Sequence, residues 1–131
     1  MSNLNWGMIT CGETFEALVT SLVYFEDPKA RLFGRRGKDG GQDALSGDGT
    51  LVYQAKFHEQ PTMGKVLADI RREAKKIQDY RQPGHQQYDQ WKVVTSWRLV
   101  TNYTFNGHGD HEQWADEVVP LFQKMGIEAD F

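Results

Sequence analysis

The chain has 131 residues, 39% of them hydrophobic and 25% charged, which suits one compact domain and an ordinary folded protein rather than a disordered one. A net charge of −3 excludes a uniformly basic nucleic-acid binder, and the single cysteine, Cys11, excludes a disulfide framework or a cysteine zinc site. No apolar run approaches the ~18 residues of a membrane span, and Met1 to Trp6 lack the basic and apolar regions of a secretory leader, so a cytoplasmic protein is expected.

In chain order, Thr14 to Tyr24 reads as an amphipathic helix, with Phe15, Leu18, Val19, Leu22 and Val23 on its buried stripe and Pro28 closing the segment. Ala30 to Phe33 is a short strand, followed by a glycine-rich basic loop from Gly34 to Gly41. Gln42 to Leu45 and Leu51 to His58 form two strands joined by the turn residues Ser46-Gly47-Asp48-Gly49. Alternation in the second strand puts Leu51, Tyr53, Ala55 and Phe57 on a core face and Val52, Gln54, Lys56 and His58 on the other. Met63 to Tyr80 is a second helix, with Val66, Leu67, Ile70, Ala74 and Ile77 inward. Trp97 to Tyr103 is a strand, after a polar connection from His85 to Asp89. Asp110 to Met125 is a third helix, with a kink or break expected at Val119 because of Pro120, and Ile127 to Phe131 is a last strand. The order predicts an α/β fold with a central mixed β-sheet flanked by α-helices. Trp6, Trp91, Trp97 and Trp114 are expected to pack rather than stack on bases.

The charge is unevenly distributed. Lys29, Arg31, Arg35, Arg36 and Lys38 form one basic window, and Lys65, Arg71, Arg72, Lys75, Lys76 and Arg81 form another. The tail from Asp110 carries six acidic residues and only Lys124 as a base. A chain polarised in this way can offer a basic face to a polyanion despite its net charge. Taken alone, Arg71 to Lys76 is better read as a solvated helix face.

Phosphodiester hydrolysis needs a divalent cation held by hard oxygens and a positive group near the developing charge. Asp43 offers a carboxylate at the start of one strand. Gln54 offers an amide oxygen, Ala55 a backbone carbonyl and Lys56 an ammonium on the next. Glu16, on the margin of the first helix's stripe, is a further candidate contact to a metal or water. His58 shares the face of Gln54 and Lys56, although a polar residue at a strand end explains it more simply. His108, Asp110 and His111 have loose metal-like spacing, better explained by a solvated loop and helix start. The Gly34 to Gly41 loop lacks the Gly-Lys-Ser/Thr ending of a P-loop, which excludes that class of NTPase.

Phe15-Glu16-Ala17-Leu18-Val19, Gly40-Gly41-Gln42-Asp43 and Tyr53-Gln54-Ala55-Lys56 together resemble the successive motifs of the PD-(D/E)XK nucleases, and the Gln-x-Lys form resembles the Mrr-like, type IV restriction endonuclease branch. The resemblance covers about the first 80 residues, with Val100-Thr101-Asn102 a looser match to a later strand. It implies a restriction-endonuclease-like core and a metal-dependent DNA endonuclease. In that site Asp43, Gln54, Ala55 and Glu16 would bind Mg²⁺ or Mn²⁺, and Lys56 would act on water and phosphate. Gln54 departs from the acidic ligand of many relatives. Arg35, Arg36, Lys38, Arg71, Arg72, Lys75 and Lys76 are the expected contacts to the DNA backbone. The resemblance also implies an N-terminal effector domain of a restriction or anti-phage defence protein, joined to a sensor or NTPase region and gated by self-association. The alternatives are a non-catalytic nucleic-acid-binding or oligomerisation module with a nuclease-like fold, or the same chemistry on RNA or branched DNA.

Overall fold

A computed structural model describes residues 12–32 and 44–131. Its elements are α1 (Gly12–Glu26), β1 (Arg31–Leu32), β2 (Ala44–Leu45), β3 (Leu51–Lys56), α2 (Met63–Tyr80), α3 (Tyr88–Trp91), β4 (Ser96–Thr101), α4 (Gly107–Gln113), a π-helical turn (Trp114–Val118), α5 (Val119–Gln123) and β5 (Glu128–Asp130). The expected order holds, with the short α3 added in what read as polar connection. Trp91 explains that helix, since it is fully buried and stacks on Tyr80 at 5.8 Å.

The strands form one mixed five-stranded sheet in sequence order, so the fold is α/β. The β1–β2 and β2–β3 pairs are antiparallel, while the β3–β4 and β4–β5 pairs are parallel. The β2–β3 connection is tight. Asp48 accepts hydrogen bonds from the Ser46 hydroxyl and from the N–H and hydroxyl of Thr50, which hold its carboxyl below the usual range. Gly47 passes so close to Lys29 that an added Cβ would lie 2.7 Å from the lysine Cβ.

Each parallel step needs a crossover, and two successive right-handed crossovers in one direction place both helices on the same face. Accordingly α2 packs with α3, the π turn and α5 on one face around Val52, Ile70, Ile77, Trp97 and Phe122. α1 covers part of the other face through Phe15, Val19 and Val23, against Ala44 and Tyr53. Both faces of β3 are therefore covered, and Val52 is as deeply buried as Tyr53. Leu22, expected on the buried stripe of α1, is 36% exposed.

Two boundaries moved for identifiable reasons. The β3 ladder stops at Lys56 rather than His58, because the Asn102 side chain takes both backbone groups of His58. The third helix starts earlier, at Gly107, and does not break at Val119. It widens instead into the π turn, whose closing bond runs from the Val119 N–H to the Trp114 carbonyl, just before Pro120, which has no N–H to donate.

Among the described residues, no helix is long and apolar enough to cross a membrane.

Candidate functional site

Alternation along β3 sends Val52, Gln54 and Lys56 toward α2, and His58 continues the pattern past the strand end. The inward side of α2 is not wholly apolar. Asp69 and Glu73 are only 4% and 2% exposed, among Val66, Ile70 and Ile77. A buried carboxylate needs a cation or donors to offset its desolvation, and the strand supplies them. Lys56 Nζ donates to Glu73 Oε1 at 2.9 Å, with Lys76 Nζ 3.5 Å from the same oxygen. His58 Nε2 lies 2.6 Å from Asp69 Oδ2, and Arg72 binds the other carboxylate oxygen.

The far side of this cluster is equally fixed. Thr101 is paired in register with Lys56. The next residue, Asn102, accepts from the His58 N–H at 3.1 Å and donates to the His58 carbonyl at 2.6 Å. Lys56 and His58 each keep 28% of their side-chain surface exposed, so the cluster opens to solvent at the end of the strand.

On this face, Gln54 Oε1 and Glu73 Oε2 are buried without a hydrogen-bond partner among the described residues. Buried acceptors are rarely left so, because each costs roughly 1–3 kcal/mol unsatisfied. An amide oxygen and a carboxylate oxygen are donors of the hard type that Mg²⁺ and Mn²⁺ take, and they fit such an ion chemically. Among the described residues, no three His, Cys, Asp or Glu side chains gather, so no all-carboxylate or histidine site is present there.

The structure treats the expected site residues unequally. Asp43 lies outside the described residues, as do Arg35, Arg36 and Lys38; β2 begins one residue later at Ala44, paired with Tyr53. Gln54 and Lys56 share a face as expected, but Gln54 is 6% exposed and part of the interior. The side chain of Ala55 packs in the α1 layer. Glu16 is half-buried on α1, the layer opposite Gln54 and Lys56. Its neighbour Phe15 meets Phe57 at 5.6 Å, which sets this stretch of α1 against the end of β3.

The basic residues of α2 divide into two sides. Arg72 and Lys76 reach the carboxylates of the cluster, whereas Arg71 pairs with Glu117 and joins Lys75 beside Leu121 and Lys124. All four are exposed. His108 pairs with Glu112, and Asp110 accepts from the Tyr103 hydroxyl and the Asn106 N–H, so they form no ligand set with His111. Trp91, Trp97 and Trp114 are buried packing residues, and Trp6 lies outside the described residues.

Sequence reasoning missed Asp69, Glu73 and Asn102. A signal for the first two was present: both fall at stripe positions of α2, three or four residues from Val66, Ile70 and Ile77. A carboxylate on a buried stripe requires a partner across the interface. Asn102 carried no such signal, since its role depends on where two strands end.

A separate cavity of about 290 Å³ lies on the α1 side, between α1 and β4, lined by Val23, Tyr53, Val100, Phe105 and Phe131 among others. None of Gln54, Lys56, His58, Asp69 or Glu73 lines it. Its polar rim is Glu26, which binds Arg98 at 2.7 Å and accepts from Tyr53 Oη at 3.1 Å. Burial, and then the Glu26 charge, push the Tyr53 phenol up to about 12. The volume is therefore not where the titratable cluster is.

No protein-family model matches the chain, and no match is found among curated proteins or solved structures.

Proposed function

We propose that this chain is a divalent-metal-dependent phosphodiesterase acting on DNA, an endonuclease domain of the PD-(D/E)XK type with a restriction-endonuclease-like core. The observation that carries the reading is the Lys56–Glu73 pair at a solvent-reaching strand end, with Gln54 two residues earlier on the same face and Gln54 Oε1 and Glu73 Oε2 unpartnered among the described residues. Gln54, Glu73 and Asp43 would hold Mg²⁺ or Mn²⁺, which would draw charge from the phosphoryl oxygen. Asp43 is one peptide step, about 3.8 Å between Cα atoms, from Ala44, which pairs beside Gln54 at Tyr53. Glu16 is a remaining carboxylate at the same end of β3.

Within this reading the chain's own groups divide the work. Glu73 fixes the Lys56 ammonium, which donates to a non-bridging phosphate oxygen and stabilises the charge that builds there. Arg72 and Lys76, with Arg35, Arg36, Lys38, Arg71 and Lys75, attract the phosphate backbone without reading base sequence. The place in a restriction or anti-phage system, the attached sensor or NTPase region and gating by self-association are parts of the proposal that rest on the motif resemblance alone.

Relaxation of supercoiled plasmid with Mg²⁺ or Mn²⁺ tests it. Wild-type protein should nick the plasmid, and Asp43→Ala and Lys56→Ala should each lower the rate at least about a hundredfold. Cleavage unchanged in Lys56→Ala, or absent from the wild type with either metal, overturns the reading. Salt-sensitive binding without product would favour the non-catalytic module, in which Lys56–Glu73 and His58–Asp69 serve only to pin α2 onto the sheet.

A further inference from the structure

We infer that His58 is the proton acceptor of this site and Asp69 its positioning residue, an inference that rests on the phosphodiesterase reading and extends it. The need for such a group follows from Lys56. An ammonium has three donors and no acceptor, and Lys56 is held by the buried Glu73 carboxylate, with Lys76 beside the same oxygen. It stabilises charge but has no lone pair for the proton of an attacking water. Gln54 has none of sufficient basicity either.

His58 has one, and the structure fixes which nitrogen carries it. The Asp69 carboxylate is an acceptor, so at 2.6 Å it requires the proton on Nε2. The neutral ring then presents a bare Nδ1, which has no partner among the described residues. Arg72 occupies the second oxygen of Asp69, and the 4% exposure of that residue keeps water from competing for it. Asn102 holds the backbone of His58 from both sides, and the contact of Nε2 with Asp69 directs the ring.

Position agrees with the role. His58 lies two residues beyond Lys56 on the same face, a separation of about 7 Å along an extended chain, the span of a phosphate and a water between them. In the step, the O–H bond of the water breaks and its proton passes to Nδ1. The water oxygen bonds to phosphorus, the P–O bond to the leaving oxygen breaks, and that oxygen takes a proton from bulk water. The imidazolium then returns its proton to solvent. Among the described residues, the charged groups around the ring are Asp69 and Arg72 from α2 and, earlier on the strand, Lys56 with Glu73; the β4 side contributes Asn102, which does not titrate.

The test is single-turnover plasmid cleavage by the full chain with Mn²⁺ between about pH 5 and 8, the range in which an unperturbed imidazole changes charge, with ring ¹⁵N NMR on the same samples. Wild type should show the Nε2–H tautomer and a rate that rises with deprotonation of one group. His58→Gln should lower the rate about a hundredfold and flatten that rise. Asp69→Asn should slow cleavage and mix the tautomers, and it carries the test if His58→Gln does not fold. Cleavage by either folded variant at the wild-type rate with the rise intact overturns the inference alone, as does an Nδ1–H tautomer in the wild type. No cleavage by the wild type with any metal overturns the phosphodiesterase reading and this inference together.

Discussion

At the scale of single residues, the chemistry is set by what each polar side chain is forced to face. Lys56 stands out in the sequence by its motif and His58 only by its position, but what each side chain faces is decided by the buried Glu73 and Asp69. Tyr53 and Tyr103 show the same principle away from the site. Burial pushes both phenols up to about 12, helped by Glu26 for Tyr53 and by the hydrogen bond to Asp110 for Tyr103. A phenol that holds its proton more tightly when folded stabilises the fold fully below its ordinary value of 10, and that contribution is lost as pH rises toward 12. Urea midpoints measured against pH should therefore be insensitive to these groups at neutral pH and fall between those two values. Tyr53→Phe and Tyr103→Phe should each reduce the steepness of that fall, and phenolate absorbance should show Tyr53 and Tyr103 titrating late in the folded chain.

At the scale of elements, α2 was the most legible in the sequence and also held the largest omission. Its limits and its five apolar stripe residues were readable because a helical period repeats over 18 residues. Asp69 and Glu73 occupy the same inward side, yet a charged residue next to a stripe reads by default as solvated flank. The start of the helix is set by Thr62, whose side chain accepts from the Lys65 N–H at 3.2 Å. Thr62→Ala should cost about 1 kcal/mol in chemical denaturation while leaving the tautomer of His58 unchanged, since the cap lies at the other end of the first turns from Asp69. The third helix shows the converse. Pro120 was legible as a disturbance, but whether a helix breaks or widens depends on the packing of Trp114 and Val118, both buried in the main core.

At the scale of the whole molecule, the sheet separates two environments. One face carries the polar cluster under α2 and a core in which Trp97, fully buried, stacks on Phe122 at 4.6 Å. The other carries α1 and the apolar cavity with its Glu26–Arg98 rim. Trp97→Ala should cost roughly 3–5 kcal/mol in urea unfolding, because it empties the layer that joins β4 to α5. From the sequence alone one could determine the element types and their order, the faces that are apolar, and the placement of Gln54 and Lys56 on one side of a strand. These follow from local periods of 2 and 3.6 residues, which depend only on near neighbours in the chain. Tertiary structure alone decided which groups meet them. Glu73 lies 17 residues from Lys56 and Asp69 lies 11 from His58, and what joins each pair is the crossing of α2 over β3. That crossing is set by packing between elements, and the placement of Glu16 in the opposite layer has the same cause.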